Sequence, residues 1–212
     1  MTARVMPDGP AARDEAAAVL VAGGIVAIPT DTVYGLAAAR GDAQAVTRLL
    51  SVKGRSPDKG IAMLLADAEQ ASEVGEMTPL ARLLGRELWP GALTIVVPVR
   101  AGAPIAEAVL GPQRTVGIRV PDHACPRHVA RTVGPLPATS ANMAGRPEAR
   151  DATAIRALFG QSIDLIVDDG PARGAAGSTV VDCTSEIPRV LRVGPIAAER
   201  VAAVLRAAGV GR

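Results

Sequence analysis

The stretch "GIVAIPTDTVYGL", residues 24–36, decides how the rest of the chain is interpreted. It begins with a continuously apolar run, which is typical of a short strand covered on both faces of a sheet. The run ends at a proline, and four polar residues follow: Thr30, Asp31, Thr32 and Tyr34. Because open α/β sheets bind ligands just beyond the carboxyl ends of their strands, this stretch predicts the rim of a binding site.

The composition indicates one ordinary folded domain. At 212 residues and 49% apolar composition, the chain is long enough for one sizeable hydrophobic core, and we expect a single α/β domain. The formal charge of +2 is nearly balanced, so a nucleic-acid surface would require clustering of basic residues. Cys125 and Cys183 are far apart and form no CxxC pattern. Their spacing indicates reduced thiols rather than a disulfide framework or a structural zinc site.

The N-terminal region predicts neither a signal peptide nor a membrane span. The opening "MTARVMPDGPAARDEAA" lacks the apolar core of a signal peptide. The longest apolar run, "VLVAGGIVAIP" at residues 19–29, is interrupted by glycines and too short to cross a bilayer. We therefore expect a cytoplasmic protein with no membrane association.

Helices and strands alternate in the first two thirds of the chain. Apolar residues at helical spacing predict four helices, over residues 13–22, 42–50, 79–88 and 123–133. Asp42 and Thr78 are the expected N-caps of the second and third, and the second would deliver Lys53 and Arg55 at its C-terminal exit. Short apolar runs predict four strands, over residues 24–29, 60–66, 92–99 and 115–121.

The last third is predicted to be richer in strands. A polar loop covers residues 136–149 and a short helix covers 151–159. Three strands joined by tight connections follow, over residues 164–170, 177–184 and 189–194, and a helix closes the chain. We therefore predict a single α/β domain over residues 9–199, with helices packed on a twisted mixed sheet, and the end of a helix with a tail over 200–212.

Two arginines stand out in strands that otherwise read as apolar, Arg119 in "GIRVP" and Arg192 in "VLRVG". Burying an unpaired cation costs several kcal/mol, so each is expected to have an anionic partner. That partner is either an internal carboxylate or an anionic ligand. A guanidinium suits phosphate or carboxylate because it can bind two oxygens at once.

Common catalytic motifs are missing from the sequence. The stretch "GPARGAAGST" at residues 170–179 lacks the lysine of a P-loop, and no GxGxxG follows the first strand. Ser140 is not in a GxSxG turn. His123, Cys125 and His128 would lie on different faces of a helix, which favours a helix surface with a buried cysteine over a zinc site. Three aromatic residues cannot supply a row of stacking surfaces for single-stranded RNA.

Seven motifs in a fixed order carry a resemblance to a known family. They are "PTDTVYGL", "KGR", "WPGALTIVV", "TVGIRVP", "TSAN", "GSTVVD" and "RVLRVGP", and they span roughly residues 14–196. In that order they resemble the YrdC-like threonylcarbamoyl-AMP synthases. The resemblance implies a single α/β domain with a large concave ligand cleft. It also implies a nucleotidyltransferase that converts L-threonine, bicarbonate or CO2, and ATP to threonylcarbamoyl-AMP and pyrophosphate, for modification of tRNA.

The resemblance also implies site residues. Lys53 and Arg55 would be catalytic and hold the ATP phosphates, while Thr32, Arg119 and Ser178 would bind threonine. The implied ATP-binding residues are Arg55, Lys59, Thr115, Ser140, Asn142 and Arg192. Mg2+ is expected to accompany ATP, and no protein metal site is expected. The protein would interact with tRNA directly or through a threonylcarbamoyl-transferase complex. Leu64 stands where many relatives have a histidine, which leaves the selectivity for threonine open.

The chemistry of that reaction explains the cations. A carbamate and a triphosphate brought within about 4 Å repel each other by several kcal/mol at an effective dielectric near 20. Lys53, Arg55, Arg119 and Arg192 would offset this repulsion, and the carbamate itself is the nucleophile, so catalysis is mainly orientation and electrostatics. Two alternatives stay open: a non-catalytic module that binds double-stranded RNA or tRNA through phosphates, and an adenylating enzyme for another small substrate.

Overall fold

Ten strands form one sheet in the computed structural model, which describes residues 2–54 and 60–209. They are β1 (Arg4–Pro7), β2 (Val26–Ile28), β3 (Gly35–Ala37), β4 (Ala62–Leu64), β5 (Leu93–Pro98), β6 (Thr115–Arg119), β7 (Leu136–Ser140), β8 (Leu165–Asp168), β9 (Thr179–Asp182) and β10 (Arg189–Arg192). Their order across the sheet is β1-β8-β2-β3-β7-β4-β6-β5-β9-β10. Since β2 pairs parallel with β8 and antiparallel with β3, the predicted mixed-sheet α/β fold is confirmed.

Seven helices lie within the same described residues. They are α1 (Pro10–Val21), α2 (Ala43–Lys53), α3 (Ala71–Val74), α4 (Pro79–Leu88), α5 (Ala124–Val133), α6 (Ala152–Phe159) and α7 (Ala198–Ala207). None of the helices in residues 2–54 and 60–209 has both the length and the apolar character needed to cross a bilayer.

The helix ends follow the capping residues that the sequence offers. The Asp42 carboxylate accepts hydrogen bonds from two backbone N–H groups in the first turn of α2, and the Thr78 hydroxyl accepts one at the start of α4. Both predicted N-caps are therefore confirmed. α2 ends at Gly54, whose φ of 62° lies in the left-handed region that glycine adopts without strain.

Alternate residues of each strand point to opposite faces of the sheet, and helices cover both faces. In β2, Val26 and Ile28 pack in a buried cluster with α1 and α5. Ala27, between them, belongs to the larger core that α2, α4, α6 and α7 build on the other face. The continuously apolar run from which β2 was predicted thus follows from burial on both sides.

The face that carries α1 and α5 is covered over part of its width. α1 packs against β2 and β8, and α5 packs against β4 and β7. In the neighbouring strands β5, β6 and β9, no large apolar side chain lines the open surface among the described residues. The residues there include Thr94, Val96, Gly117, Arg119 and Val180. Their neighbours Ile95, Ile118 and Val181 are fully buried in the larger core. A concave surface results on this part of the sheet.

Some strand predictions need correction. Residues 136–140, predicted as part of a loop, form β7 in the middle of the sheet between β3 and β4. Strand β8 pairs with β1 and β2, whereas β9 pairs with β5 and β10, so the predicted tight connection between β8 and β9 is wrong. β1 and β3 were not predicted at all. β1 begins at Arg4 and α7 ends at Ala207.

A buried histidine ties together the junction before α5. His123 is the N-cap of α5, not part of a helix surface as predicted, and its Nδ1 accepts a hydrogen bond from the Cys125 N–H at 3.1 Å. Nε2 therefore carries the proton and donates to Asp169 Oδ2 at 3.1 Å. Asp8, the third member of this cluster, accepts two hydrogen bonds from the Arg13 guanidinium. The cluster thus joins β1 and β8 to α1 and α5.

We expect Asp169 to stabilise the fold in a pH-dependent way. Burial raises the pKa of Asp169, but hydrogen bonds from His123 and Arg173 outweigh it, and the net pKa lies below its usual value. Stabilisation by a depressed carboxyl is present above the unfolded-state pKa of about 3.9 and is lost as the pH falls through the folded-state value. Asp169→Asn should lower the free energy of unfolding by about 1 kcal/mol near neutral pH.

Urea unfolding of wild type and Asp169→Asn at several pH values measures this effect. The difference between the two proteins should begin to shrink as the pH falls below the unfolded-state pKa of about 3.9, and it should vanish below the lowered folded-state pKa of Asp169. A difference that stays constant from neutral pH to acid would contradict the expectation.

The two cysteines are free and buried. Burial raises the pKa of the Cys125 thiol, and it raises the pKa of the Cys183 thiol to about 12. Because the thiolate is the nucleophilic form, neither side chain supplies a nucleophile near neutral pH.

Candidate functional site

A cleft of about 360 Å3 occupies the part of the sheet that α1 and α5 leave uncovered. Six of the predicted site residues line it: Thr32, Thr115, Arg119, Ser140, Ser178 and Arg192. Its floor contains small or apolar side chains, among them Ala62, Val96 and Ala138. This volume is in the range of small-molecule sites, about 300–1,000 Å3, in which a few polar groups fix the ligand on an apolar floor.

The Arg119 guanidinium is the most buried cation in the wall of this cleft among the described residues that line it. Arg119 ends β6, and its side chain is 6% exposed. Nη2 donates to Asp31 Oδ1 at 2.6 Å, Nη1 donates to Thr32 Oγ1 at 2.9 Å, and Nε donates to the Gly91 carbonyl at 2.9 Å. The expected anionic partner is therefore Asp31, and the same guanidinium also lines the cleft.

The two cleft arginines influence each other. Burial lowers the pKa of Arg119, the Asp31 carboxylate raises it, and the positive charge of Arg192 lowers it. The net pKa of Arg119 is below its usual value. Both guanidinium groups line the same cleft, so an anion bound between them would be attracted by both.

The hydrogen-bond polarity of Thr32 follows from its neighbour Thr30. The Thr30 hydroxyl donates to the Val33 carbonyl at 2.6 Å and accepts the Thr32 N–H at 3.1 Å. Because each hydroxyl has one hydrogen, the Thr32 hydroxyl must be the donor in its 3.0 Å contact with Thr30. After accepting from Arg119, the Thr32 oxygen keeps one lone pair. It can therefore accept a hydrogen bond from an N–H or O–H of a ligand.

A second polar group in the cleft surrounds Ser178. The Ser178 and Thr94 hydroxyls lie 2.6 Å apart, and both residues are buried. Arg192 donates from Nε and Nη2 to the Ser178 carbonyl, at 3.0 and 2.8 Å. The expectation that Arg192 is buried is wrong, because all four residues of β10 are exposed at the edge of the sheet. In the described part of the chain, Arg192 has no carboxylate within ion-pair distance.

Lys53 is buried, and it supports the loop that follows β7. Its Nζ donates to Thr139 Oγ1 at 2.9 Å, to the Ser140 carbonyl at 2.6 Å and to Asn142 Oδ1 at 3.1 Å. The Ser140 hydroxyl also donates to Asn142 Oδ1 at 2.6 Å. Considered alone, a lysine at a helix end would be expected to be solvated, but this one is 3% exposed.

The remaining predicted residues differ in position. Thr115 lines the cleft, and its hydroxyl donates to the Pro112 carbonyl at 2.9 Å. Asn142 is not among the residues that line the cleft, and its amide nitrogen donates to the Met143 and Arg146 carbonyls. Arg55 and Lys59 lie outside the described residues.

Sequence reasoning assigned no site role to several polar residues, and three of them show which signals were available. Asp31 was quoted in the opening stretch without a role, although it pairs with Arg119. Thr94 is a polar residue inside the apolar run "ALTIVV", which is a usable signal for a site-facing position. Glu148, a carboxylate that lines the cleft, lies in an irregular stretch where no pattern marked it. Leu64, noted for replacing a histidine, also lines the cleft.

The fold and the cleft define an α/β protein with a small-molecule site on the uncovered part of a mixed sheet. The Sua5/YciO/YrdC family model, described as "Telomere recombination", matches residues 18–194. The chain belongs to this family, and the resemblance stated from the seven motifs is confirmed.

The relatives agree in sequence and in structure. A Mycobacterium tuberculosis protein, described as a candidate threonylcarbamoyl-AMP synthase, is 42% identical over 192 residues, which are 90% of this chain and 87% of that protein. The Bacillus subtilis threonylcarbamoyl-AMP synthase is 37% identical over 193 residues, covering 90% of this chain and 56% of that one. The structure of Pyrococcus abyssi Sua5 complexed with L-threonine has a TM-score of 0.88 and 32% identity, covering 96% of this chain and 60% of that one. This chain thus spans little more than half the length of the last two relatives.

Proposed function

We propose that this chain is a threonylcarbamoyl-AMP synthase, which uses L-threonine, bicarbonate or CO2, and ATP to form threonylcarbamoyl-AMP and pyrophosphate. The observation that carries the proposal is the convergence of Thr32, Arg119, Ser178 and Arg192 on one cleft, in a chain of the Sua5/YciO/YrdC family. The names of the relatives and the threonine complex of the Pyrococcus protein support the same activity.

The Arg119 side of the cleft is the proposed threonine subsite. The Arg119 guanidinium would bind the carboxylate of the amino acid, since two of its five N–H donors are not used by Asp31, Thr32 or Gly91. The free lone pair of Thr32 would accept a hydrogen bond from the substrate N–H or O–H. Ser178, whose hydroxyl contacts Thr94, would contact the same substrate.

The nucleotide would lie toward Ser140, Thr115 and Arg192. Arg192 would bind phosphate, because it is exposed and its five donors are not exhausted by the Ser178 carbonyl. Arg55 and Lys59 are also proposed to bind ATP, although they lie outside the described residues. Lys53 and Asn142 would act by holding the loop that carries Ser140. A direct contact of Lys53 with a phosphate stays a prediction.

The proposed reaction needs no nucleophile from the protein. A carbamate oxygen of N-carboxythreonine would attack the α-phosphorus of ATP, the new P–O bond would form, and the bond to the bridging oxygen of pyrophosphate would break with its electron pair. The cleft cations would stabilise the charge that develops on the transferred and leaving groups. A Mg2+ ion bound to the phosphates would supply further charge neutralisation. Among the described residues lining the cleft, Glu148 is the carboxylate that could contact it.

The product would serve tRNA modification in the cytoplasm. The threonylcarbamoyl group of the mixed anhydride would be transferred to an adenosine beside the anticodon, either after direct contact with tRNA or through a threonylcarbamoyl-transferase complex. These partners and the location are part of the proposal.

The direct test measures product formation by the purified protein. Pyrophosphate release and formation of the AMP adduct should require ATP, threonine and bicarbonate together, and omission of any one should reduce both to background. Pyrophosphate release that is indifferent to threonine would refute the proposed substrate. Salt-sensitive RNA binding without any ATP binding would favour the RNA-binding alternative instead.

We expect Arg192→Ala to lower kcat/KM for ATP at least about tenfold, which corresponds to loss of roughly one charge-assisted contact. The KM for threonine should change less, because Arg119 is retained. Arg189→Ala is the matched control, since Arg189 starts the same strand and pairs with Asp182 at 3.2 Å. Near-normal turnover of Arg192→Ala would remove this residue from the phosphate role.

A further inference from the structure

We propose that Asp31 is a specificity-determining residue: by neutralising Arg119, it reserves the Arg119 end of the proposed threonine subsite for a singly charged carboxylate group and excludes phosphate groups. The proposal rests on the proposed function. It concerns a residue that the assignment of threonine and ATP contacts leaves unused.

The first step is the geometry of the pair. Asp31 Oδ1 lies 2.6 Å from Arg119 Nη2, and the two side chains are 14% and 6% exposed. The carboxylate is therefore fixed against the guanidinium, and little solvent screens it. Asp31 and Thr32 are consecutive, so one short loop supplies two of the three acceptors that hold the Arg119 guanidinium. The Gly91 carbonyl is the third acceptor.

The second step is the donor inventory. A guanidinium has five N–H groups, and three of those in Arg119 are used by Asp31, Thr32 and the Gly91 carbonyl. One N–H remains on each terminal nitrogen. Two donors are sufficient for one carboxylate, so Asp31 leaves the guanidinium able to bind an amino acid.

The third step is the charge that a ligand encounters. With Asp31 ionised, the pair has no net charge, and a bound carboxylate leaves the cluster at −1. A phosphate group of charge near −2 would leave it at about −2, within a few ångströms of the Asp31 carboxylate. Repulsion grows with the product of the charges, so the Asp31 carboxylate weakens the binding of phosphate more than the binding of a carboxylate.

The fourth step is the contrast with Arg192. This guanidinium lines the same cleft, but its partners in the described residues are the carbonyl and hydroxyl of Ser178, which are neutral. Arg192 therefore keeps its full positive charge toward the cleft. Both arginines line the cleft, and the carboxylate beside Arg119 divides the cleft into a nearly neutral part and a cationic part. The triphosphate belongs in the cationic part.

The test compares binding of inorganic phosphate and pyrophosphate to the wild-type protein and to Asp31→Asn by calorimetry. The amide keeps an oxygen that can accept from Arg119 but removes the charge. We expect Asp31→Asn to bind both anions at least about tenfold more tightly than wild type. The gain should be lost in the double variant Asp31→Asn/Arg119→Met. Unchanged affinity in Asp31→Asn, or a gain that persists in the double variant, would overturn the proposal.

Asp8→Asn is the matched control. Asp8 is also a poorly exposed carboxylate, 7% exposed, and it pairs with Arg13 at 2.7 Å away from the cleft. The phosphate affinity of Asp8→Asn should equal that of wild type. If Asp8→Asn gained as much phosphate affinity as Asp31→Asn, the assignment to Asp31 would be overturned. Thermal melting of each variant verifies the fold.

A wild-type measurement keeps the proposal falsifiable if Asp31→Asn does not fold. Threonine is titrated with and without saturating pyrophosphate, and its affinity should stay within about twofold. Loss of threonine binding in the presence of pyrophosphate would mean that phosphate enters the threonine subsite, which overturns the proposal. Absence of threonine binding in both titrations would instead refute the proposed function, while the phosphate comparison between the variants would still test the role of Asp31.

Discussion

Arg119→Met is expected to lower kcat/KM for threonine by about 100-fold or more, the loss of a buried, charge-assisted contact of roughly 3 kcal/mol. Methionine fills a similar volume without the guanidinium. The substitution removes the proposed partner of the substrate carboxylate and also frees Thr32 from its 2.9 Å hydrogen bond. Initial rates at varied threonine and saturating ATP measure the effect.

Two further variants separate binding from folding in this experiment. Arg119→Met leaves the Asp31 carboxylate without its cation, which should destabilise the fold, whereas Arg119→Met/Asp31→Asn removes both charges. The double variant should recover stability in urea unfolding but not activity. Arg48→Met, which breaks a surface pair with Asp164, is the control for loss of an arginine. Wild-type kcat/KM in a well-folded Arg119→Met protein would rule out the carboxylate-binding role.

Lys53→Met should impair stability and ATP use together. The Lys53 Nζ donates to Thr139, Ser140 and Asn142, so its removal leaves acceptors around the buried end of α2 without their donor. We expect the free energy of unfolding to fall by roughly 2–3 kcal/mol. Because Ser140 would lose its support, the KM for ATP should rise at least about tenfold, while the KM for threonine changes less.

The control for Lys53→Met is Arg131→Met, which removes a cation from the last turn of α5. Arg131 is exposed, so this change should cost little in either assay. If Lys53→Met were as stable as wild type but still lost ATP binding, Lys53 would act on the phosphates directly rather than through the loop. If both stability and ATP use were retained, neither role would hold.

The parts of the fold that could be predicted are those that local pattern determines. α2 and α4 were located because Asp42 and Thr78 cap apolar helical repeats, and β2 was located because burial on both faces makes it continuously apolar. β7 was missed for a physical reason. Pro137 and Ser140 argue against a central strand, and only pairing with β3 and β4 on either side makes this segment a strand.

The sequence predicted which residues belong to the candidate site better than it predicted which of them contact each other. The motifs named Arg119 and Ser178, but the partner of Arg119 could not be chosen among the acidic residues of the chain without the sheet register. The burial of Lys53 did have a signal, because Val46, Leu49 and Lys53 share one face of α2 at helical spacing. No signal in the sequence indicated the exposure of Arg192, because an apolar edge strand and an apolar central strand have similar sequences.

Strand β10 has a consequence for how the cleft responds to heat and to denaturant. It is the last strand of the sheet, it pairs with β9 alone among the described residues, and its side chains are exposed. Such a strand can fray while the central strands stay intact, because local opening costs less than global unfolding. Fraying would carry Arg192 away from Ser178, so the protein can lose its cationic wall before it loses its fold. A bound polyphosphate should oppose this opening, and amide hydrogen exchange would slow in β10 more than in the central strands.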